Sequence, residues 1–160
     1  MRPQEVVQAC QTAWQNRDLE TAAKLTSPDL VEHSPVLVAQ AHRLSQAGQS
    51  GKSKHGPVED IKKFLEVFPD AKVKIEDIFE SGDKVVYRWK GTGTHKGDFL
   101  GIKATGKTVT VEGMTIARVH NDQIVETWRQ FDLIGAMAQL GWESKVLRVL
   151  QPIGKAESGY

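Results

Sequence analysis

The chain is short of several things, and each shortage narrows what it can be. It has one cysteine, Cys10, in 160 residues, so no disulfide framework can form within it. It has no excess of either charge. Its 21 basic and 20 acidic residues leave a net charge of +1, which lacks the basic footprint of a nucleic-acid or anionic-membrane binder. No apolar run approaches the roughly 20 residues of a membrane span, and no apolar signal core follows Met1–Glu5. No repeat of solenoid length appears. Chemical motifs are equally scarce. The five histidines (His33, His42, His55, His95, His120) form no HxxxH pair and there is no CxxC, so no metal site is expected. Gly-x-Ser-x-Gly is absent. Thr105-Gly106-Lys107 lacks the leading glycine of a phosphate loop. The expectation is a soluble, cytoplasmic, single-domain protein with no nucleic-acid or membrane partner. A hydrophobic content of 39% is enough for one core.

What is present is a change of hydrophobic period along the chain. Val6, Val7, Cys10, Ala13 and Trp14 make one stripe of a helix over 3–17, with Pro3 in its first turn. Asp18 reads as the N-cap of a short helix that Ser27-Pro28-Asp29 stops. Leu30–His33 reads as extended. Ser34-Pro35 can start a helix through Leu44, and 46–56, rich in Gly, Ser and Lys, reads as a flexible loop. Pro57 opens a helix with Ile61, Phe64, Leu65 and Phe68 on its stripe, ended at Pro69. From Ala71 the period becomes two. Strands follow with a bulge at Ile78-Phe79 and turns at Ser81-Gly82-Asp83 and Asn121-Asp122. A short helix from Leu133 closes at Gly141. Helices followed by a four-stranded antiparallel meander predict an α+β fold with helices on one face of a curved sheet, enclosing a small-molecule cavity.

Several separated segments agree on one family. They are Phe68-Pro69-Asp70, Ser81–Val86, Gly93–Ile102, Ala104–Lys107, Ile124–Trp128, Asp132-Leu133 and Gln139–Gly141. In this order and spacing the chain resembles the SnoaL-like polyketide cyclases, or ester cyclases, over about 3–33 and 57–142. The resemblance implies the cone-shaped barrel of nuclear transport factor 2 and ketosteroid isomerase, with a curved antiparallel sheet wrapped around N-terminal helices. It implies residues 1–142 as the cone domain, with an inserted loop at about 36–56 and an extension over 143–160. It implies an intramolecular aldol-type ring closure of a small apolar or polycyclic carbonyl or ester compound, without metal or organic cofactor. It places the family's acid/base aspartate at Asp132. A homodimer or higher homo-oligomer is expected, with the apolar extension residues packing on the body or at the interface. The same fold hosts unrelated activities, so a non-catalytic binding or carrier protein is the alternative. Epoxide hydrolysis would need asparagine and arginine beside the aspartate, and of these only Arg118 is at hand.

Candidate residues follow. Glu126, Trp128, Gln130 and Asp132 share one strand face by the two-residue period; if Trp128 faces the cavity, so does Asp132. A carboxylate beside an indole in an apolar pocket is a raised-pKa base. The plainer role for Asp132 is an N-cap of the terminal helix. His95, between Gly93 and Gly97, can polarise a substrate carbonyl or be an ordinary turn histidine. His33 is placed at the cone's mouth or as a connector. Trp128, Trp89, Tyr87, Phe79 and Phe99 would stack a planar ligand, or pack a core. Met114 and Ile116, on the neighbouring strand, complete the substrate-binding set, with Thr115 the single polar group among them.

Overall fold

A computed structural model describes residues 1–34, 50–52, 56–99 and 101–141. Its elements are helices α1 (Pro3–Gln15), α2 (Leu19–Lys24), α3 (Pro57–Val67) and α4 (Leu133–Gln139), and strands β1 (Thr26–His33), β2 (Ser50–Lys52), β3 (Lys72–Ser81), β4 (Lys84–Thr94), β5 (Thr108–His120) and β6 (Gln123–Phe131). The helix proposed over 36–44 and the 143–160 extension lie outside the described residues. Within 46–56, expected to be loop throughout, three residues form β2.

The six strands run in the order β2-β1-β6-β5-β4-β3. The meander β3 to β6 is antiparallel. β1 adds to its edge in parallel with β6, and β2 pairs antiparallel with β1. This α+β cone is the expected fold, with two further strands on the β6 side: β1, of which Leu30–His33 reads as extended in the sequence, and β2, which was not expected.

Local chemistry accounts for the element ends. Asp18 caps α2 by accepting the Thr21 amide at 3.0 Å. Pro57 begins α3, where its missing N–H costs nothing, after Gly56 at φ 89°. Asn121 and Asp122 both adopt positive φ, the geometry of a tight type I′ hairpin. The Arg17 guanidinium donates to the carbonyls of Pro69 and Ala71 at 3.0 and 2.9 Å, tying the α1–α2 turn to the α3–β3 turn. The Gln11 and Gln15 side-chain amides both donate to the Val73 carbonyl, so α1 lies along the open edge of β3.

The inner face is read from the ladder. On β5 the odd positions Val109, Gly113, Thr115, Ala117 and Val119 are buried, while Met114 and Ile116 are exposed. Two separate cores form against it. One gathers Val6, Val7, Val85, Ala117, Val119 and Ile124 beneath α1. The other gathers Phe68, Ala71, Val109, Ala136 and Leu140 beneath α3 and α4. α4 is fastened to the free start of β5 by Gln139, whose side-chain amide accepts from the Thr110 N–H and donates to its carbonyl, both at 2.9 Å. It occupies the place where β6 has ended.

Candidate functional site

The site is the stretch of inner sheet face between those two cores. Two cross-strand rows build it. Tyr87, Thr115 and Arg129 stand side by side on β4, β5 and β6, and Trp89, Gly113 and Phe131 form the next row. Successive inward rows are about 7 Å apart. The Trp89 indole lies over Gly113. A Cβ there would come within 2.8 Å of Trp89 Cε2 and 2.7 Å of the Gln130 carbonyl, so glycine is required. The ring of Phe131 stands 6.1 Å from that of Trp89 at 53°. The indole N–H of Trp89 donates to the Thr115 hydroxyl at 3.0 Å. The result is an aromatic wall beside a polar row.

The polar row carries charge. Arg129 Nη1 pairs with Glu32 Oε1 of β1 at 3.1 Å. Desolvation raises the pKa of the Tyr87 phenol, opposed by Arg129 and Thr115 and supported by Cys10 and Glu32. At neutral pH that phenol is a neutral hydrogen-bond donor. Burial likewise raises the Cys10 thiol, against the pull of Thr26, with Cys10 Sγ 3.5 Å from Thr26 Oγ1.

The residues singled out from sequence separate into four places. Tyr87 and Trp89 are in the site. His95 and Phe99 belong to the second core. His95 is 0% exposed, 5.7 Å from the Phe68 ring, which stands 5.5 Å from Phe99. His95 Nδ1 accepts the Thr105 amide N–H at 3.2 Å, which places the ring proton on Nε2. That nitrogen has no partner among the described residues. His95 is therefore neither a solvent-facing turn residue nor part of the aromatic wall; it braces the 95–106 loop.

Asp132 lies where β6 meets α4, directly after Phe131. It is exposed, and its Oδ1 accepts the Gly135 amide at 2.8 Å. Its carboxylate lies over Gly135, where a Cβ would collide with Asp132 Oδ2. The capping geometry is what the structure displays; the apolar surroundings expected of a desolvated carboxylate are not.

His33, Trp128, Met114 and Ile116 lie on the outer face, away from α1, and as lining of the cone interior they are corrected here. Phe79, Val86, Ile116, Trp128 and His33 form a single row across five strands. The His33 ring stacks on Trp128 at 5.2 Å and 2°, and His33 Nε2 meets Glu126 Oε1 at 2.9 Å. Arg118 Nε reaches Glu126 Oε2 at 3.2 Å and Nη1 reaches Asp83 at 3.0 Å. The Arg118 and Lys84 cations also sit over the Trp128 ring. The hydrogen bond from His33 and the Arg118 charge hold Glu126 below the usual glutamate range. Arg118 is thus spent on the outer face, and among the described residues Arg129 is the arginine on the inner face of the sheet.

The physical reason is a bulge in β6. Val119 pairs with Ile124, but Arg118 pairs with Glu126, so Val125 is an extra residue. Ile124 faces inward; without the bulge 126, 128 and 130 would follow it. With the bulge the inward set is Thr127, Arg129 and Phe131. Arg129, Phe131, Glu32 and Thr115 are the candidate site residues that sequence reasoning passed over or left unassigned. No group of three or more metal-ligating side chains occurs among the described residues, and no helix among them is long and apolar enough to cross a membrane.

Comparison with known proteins places the chain in a family. The SnoaL-like polyketide cyclase family matches over residues 4–140, and the chain belongs to that family. No curated protein matches it. Among solved structures it is similar to IdmH of Streptomyces antibioticus, a candidate polyketide cyclase. The two are 29% identical with a TM-score of 0.73, over 88% of this chain and 99% of that one. It is similar to AclR of Streptomyces galilaeus, a candidate hydroxylase, at 25% identity and a TM-score of 0.69, over 87% and 95%. It shares its fold with a Catenulispora acidiphila protein described as ketosteroid-isomerase-like. That pair is 18% identical with a TM-score of 0.66, over 88% and 95%.

Proposed function

We propose that the chain is a cofactor-independent cyclase or isomerase acting on a small apolar carbonyl or ester compound, by aldol-type proton transfer through Asp132. The observation that carries this reading is the pairing of the Trp89–Phe131 wall with the Tyr87–Thr115–Arg129 row between the two cores. Flat ring systems stack on such a wall. A neutral phenol and a guanidinium suit an oxygen that gains negative charge during reaction. Asp132 directly follows Phe131 at the end of that wall; with Trp128 turned outward, the two-residue period no longer carries Asp132 inward, and its place beside the ligand is the part of this reading that the Asp132→Asn variant tests.

In the proposed step the Asp132 carboxylate takes a proton from the carbon beside a carbonyl. The enolate carbon then attacks a second carbonyl of the same molecule, forming the new C–C bond. The resulting alkoxide takes the proton back from Asp132. No oxidant or reductant is consumed. The oxyanion role is assigned to Tyr87 and Arg129, since His95 is enclosed under Phe68.

The test is turnover of an aryl β-ketoester carrying a second carbonyl, followed by mass and absorbance, with wild type and Asp132→Asn. Closure by the wild type alone supports the reading; equal closure by both overturns it. A second reading, a binding or carrier protein, draws on the exposure of Asp132 and its use as a cap. Recovery of bound ligand unchanged after long incubation would favour it.

We further propose that the molecule is a homodimer through the outer row. Phe79 and Ile116 of that row and the neighbouring Met114 on the same face are 68%, 37% and 54% exposed. The flanking charges are already paired within the chain, as in Arg88–Asp77 at 2.7 Å and Arg118–Asp83 at 3.0 Å. A neutralised apolar face fits a second copy better than a charged partner.

A further inference from the structure

We infer that the ligand of the inner face carries an anionic oxygen, a carboxylate or a phenolate, and that Arg129 is the residue that recognises it. The inference rests on the reading of that face as a ring-holding site.

Three observations converge. Among the described residues Arg129 is the one cation on the inner face between the cores, since no other inward ladder position of β3 to β6 is Lys or Arg and the one other charged position, Glu80, is an anion beside α1. Among the described residues its single ion-pair partner is Glu32, met through one nitrogen, Nη1. A guanidinium has five N–H donors arranged to grip a planar two-oxygen acceptor, so most of its capacity is unspent. Its side chain is 40% exposed, which leaves it reachable although it stands in the interior row.

Position then defines the ligand's shape. Arg129 and Phe131 are inward neighbours on β6, one row apart, and Trp89 shares the row of Phe131. A ligand that stacks on Trp89 and Phe131 reaches Arg129 with a group about 7 Å along the strand direction. A planar bicyclic or larger aromatic acid spans that distance. Glu32 is the built-in competitor: it pairs with Arg129 and must share the guanidinium when an anion arrives. Tyr87 stands in the same row as a neutral donor, able to hold the second oxygen.

The experiment compares 2-naphthoate with the neutral 2-naphthalenemethanol, titrated into the full chain and followed by tryptophan emission. Wild type is expected to bind the acid more tightly than the alcohol. Arg129→Gln should weaken 2-naphthoate by about tenfold or more, the loss expected for a charge-assisted bond, and leave the alcohol within about threefold. Glu32→Gln should tighten 2-naphthoate and leave the alcohol unchanged. Arg129→Lys, which keeps the charge but not the fork, should fall between, and with Glu32→Gln it carries the test if Arg129→Gln fails to fold. Equal effects of these variants on both probes, or none, would overturn the inference while ring binding by wild type leaves the proposed function standing. Failure of wild type to bind either probe would overturn both.

Discussion

Gly113 offers the sharpest check on the geometry of the inner face. A methyl group at this position meets the Trp89 indole, with Cε2 at 2.8 Å, and the Gln130 carbonyl at 2.7 Å. The carbonyl is backbone on the neighbouring strand and Gly113 is laddered on both sides, so the backbone cannot retreat. The indole has to swing away. That breaks its bond to Thr115 and leaves a hydroxyl that is 1% exposed without its donor. Overpacking costs about 1–3 kcal/mol and an orphaned buried polar group about 1–3 kcal/mol. Restricting the unfolded chain returns about 0.4–1 kcal/mol. Gly113→Ala should therefore destabilise by roughly 2–4 kcal/mol, lowering Tm by about 5–15 °C for a chain of this size. Circular dichroism gives the melting curve, and tryptophan emission reports whether Trp89 has moved. A variant that melts within about 1 °C of wild type, with unchanged emission, would refute the placement of Trp89 over Gly113 and with it the aromatic wall.

Other expectations are independent of that one. Asp132→Ala removes the α4 cap and should cost about 1 kcal/mol, whereas Asp132→Asn keeps a capping oxygen and should cost a few tenths; equal losses in thermal melts would deny the capping role. Hydrogen bonds from Thr94 hold the Asp70 carboxyl low, and His33 and Arg118 hold Glu126 low. Groups with depressed folded pKa stabilise above the ordinary carboxylate range and lose that contribution as pH falls through their folded values. The urea midpoint should thus be flat near neutrality and fall below about pH 4, less steeply in Asp70→Asn and Glu126→Gln; a midpoint unchanged down to about pH 2.5 would contradict this. Cys10 should react slowly with a disulfide reagent until the chain unfolds, because burial raises its thiol; an immediate reaction in the folded protein would place it at the surface. Ile116→Glu on the outer row should convert a dimer to a monomer by light scattering; a wild-type monomer would remove the proposed interface.

How far the sequence could be read depended on what each element tells locally. The α1 stripe, the Asp18 cap, Pro57, the Gly82 and Asn121 turns and Gly141 each declare themselves within a few residues, and the structure places them as expected. Pairing of β1 with β6 is long-range and parallel, so no turn announces it. The inward face of the sheet was harder still. On β5 the bulky residues Met114 and Ile116 look like lining, and the small ones, Gly113, Thr115 and Ala117, look neutral. The order is reversed because the indole of Trp89 lies on Gly113 and the α1 core rests on Ala117, and only small residues admit such close neighbours. On β6 a single inserted residue, Val125, exchanges Trp128 for Arg129. Bulges of this kind are visible only in the ladder. β3 shows the same limit: its irregularity falls between Ile75 and Asp77, not at Ile78-Phe79, and Phe79 ends up outside.

The central claim is that this surface moves a proton beside a carbonyl through Asp132. It can be tested without the natural substrate. Exchange of the α-protons of 1-tetralone into deuterated buffer, followed by proton NMR, measures that step alone. Wild type should exchange them well above the buffer rate, and folded Asp132→Asn should fall back to it. Exchange at the buffer rate by wild type, or undiminished exchange by Asp132→Asn, would contradict the account.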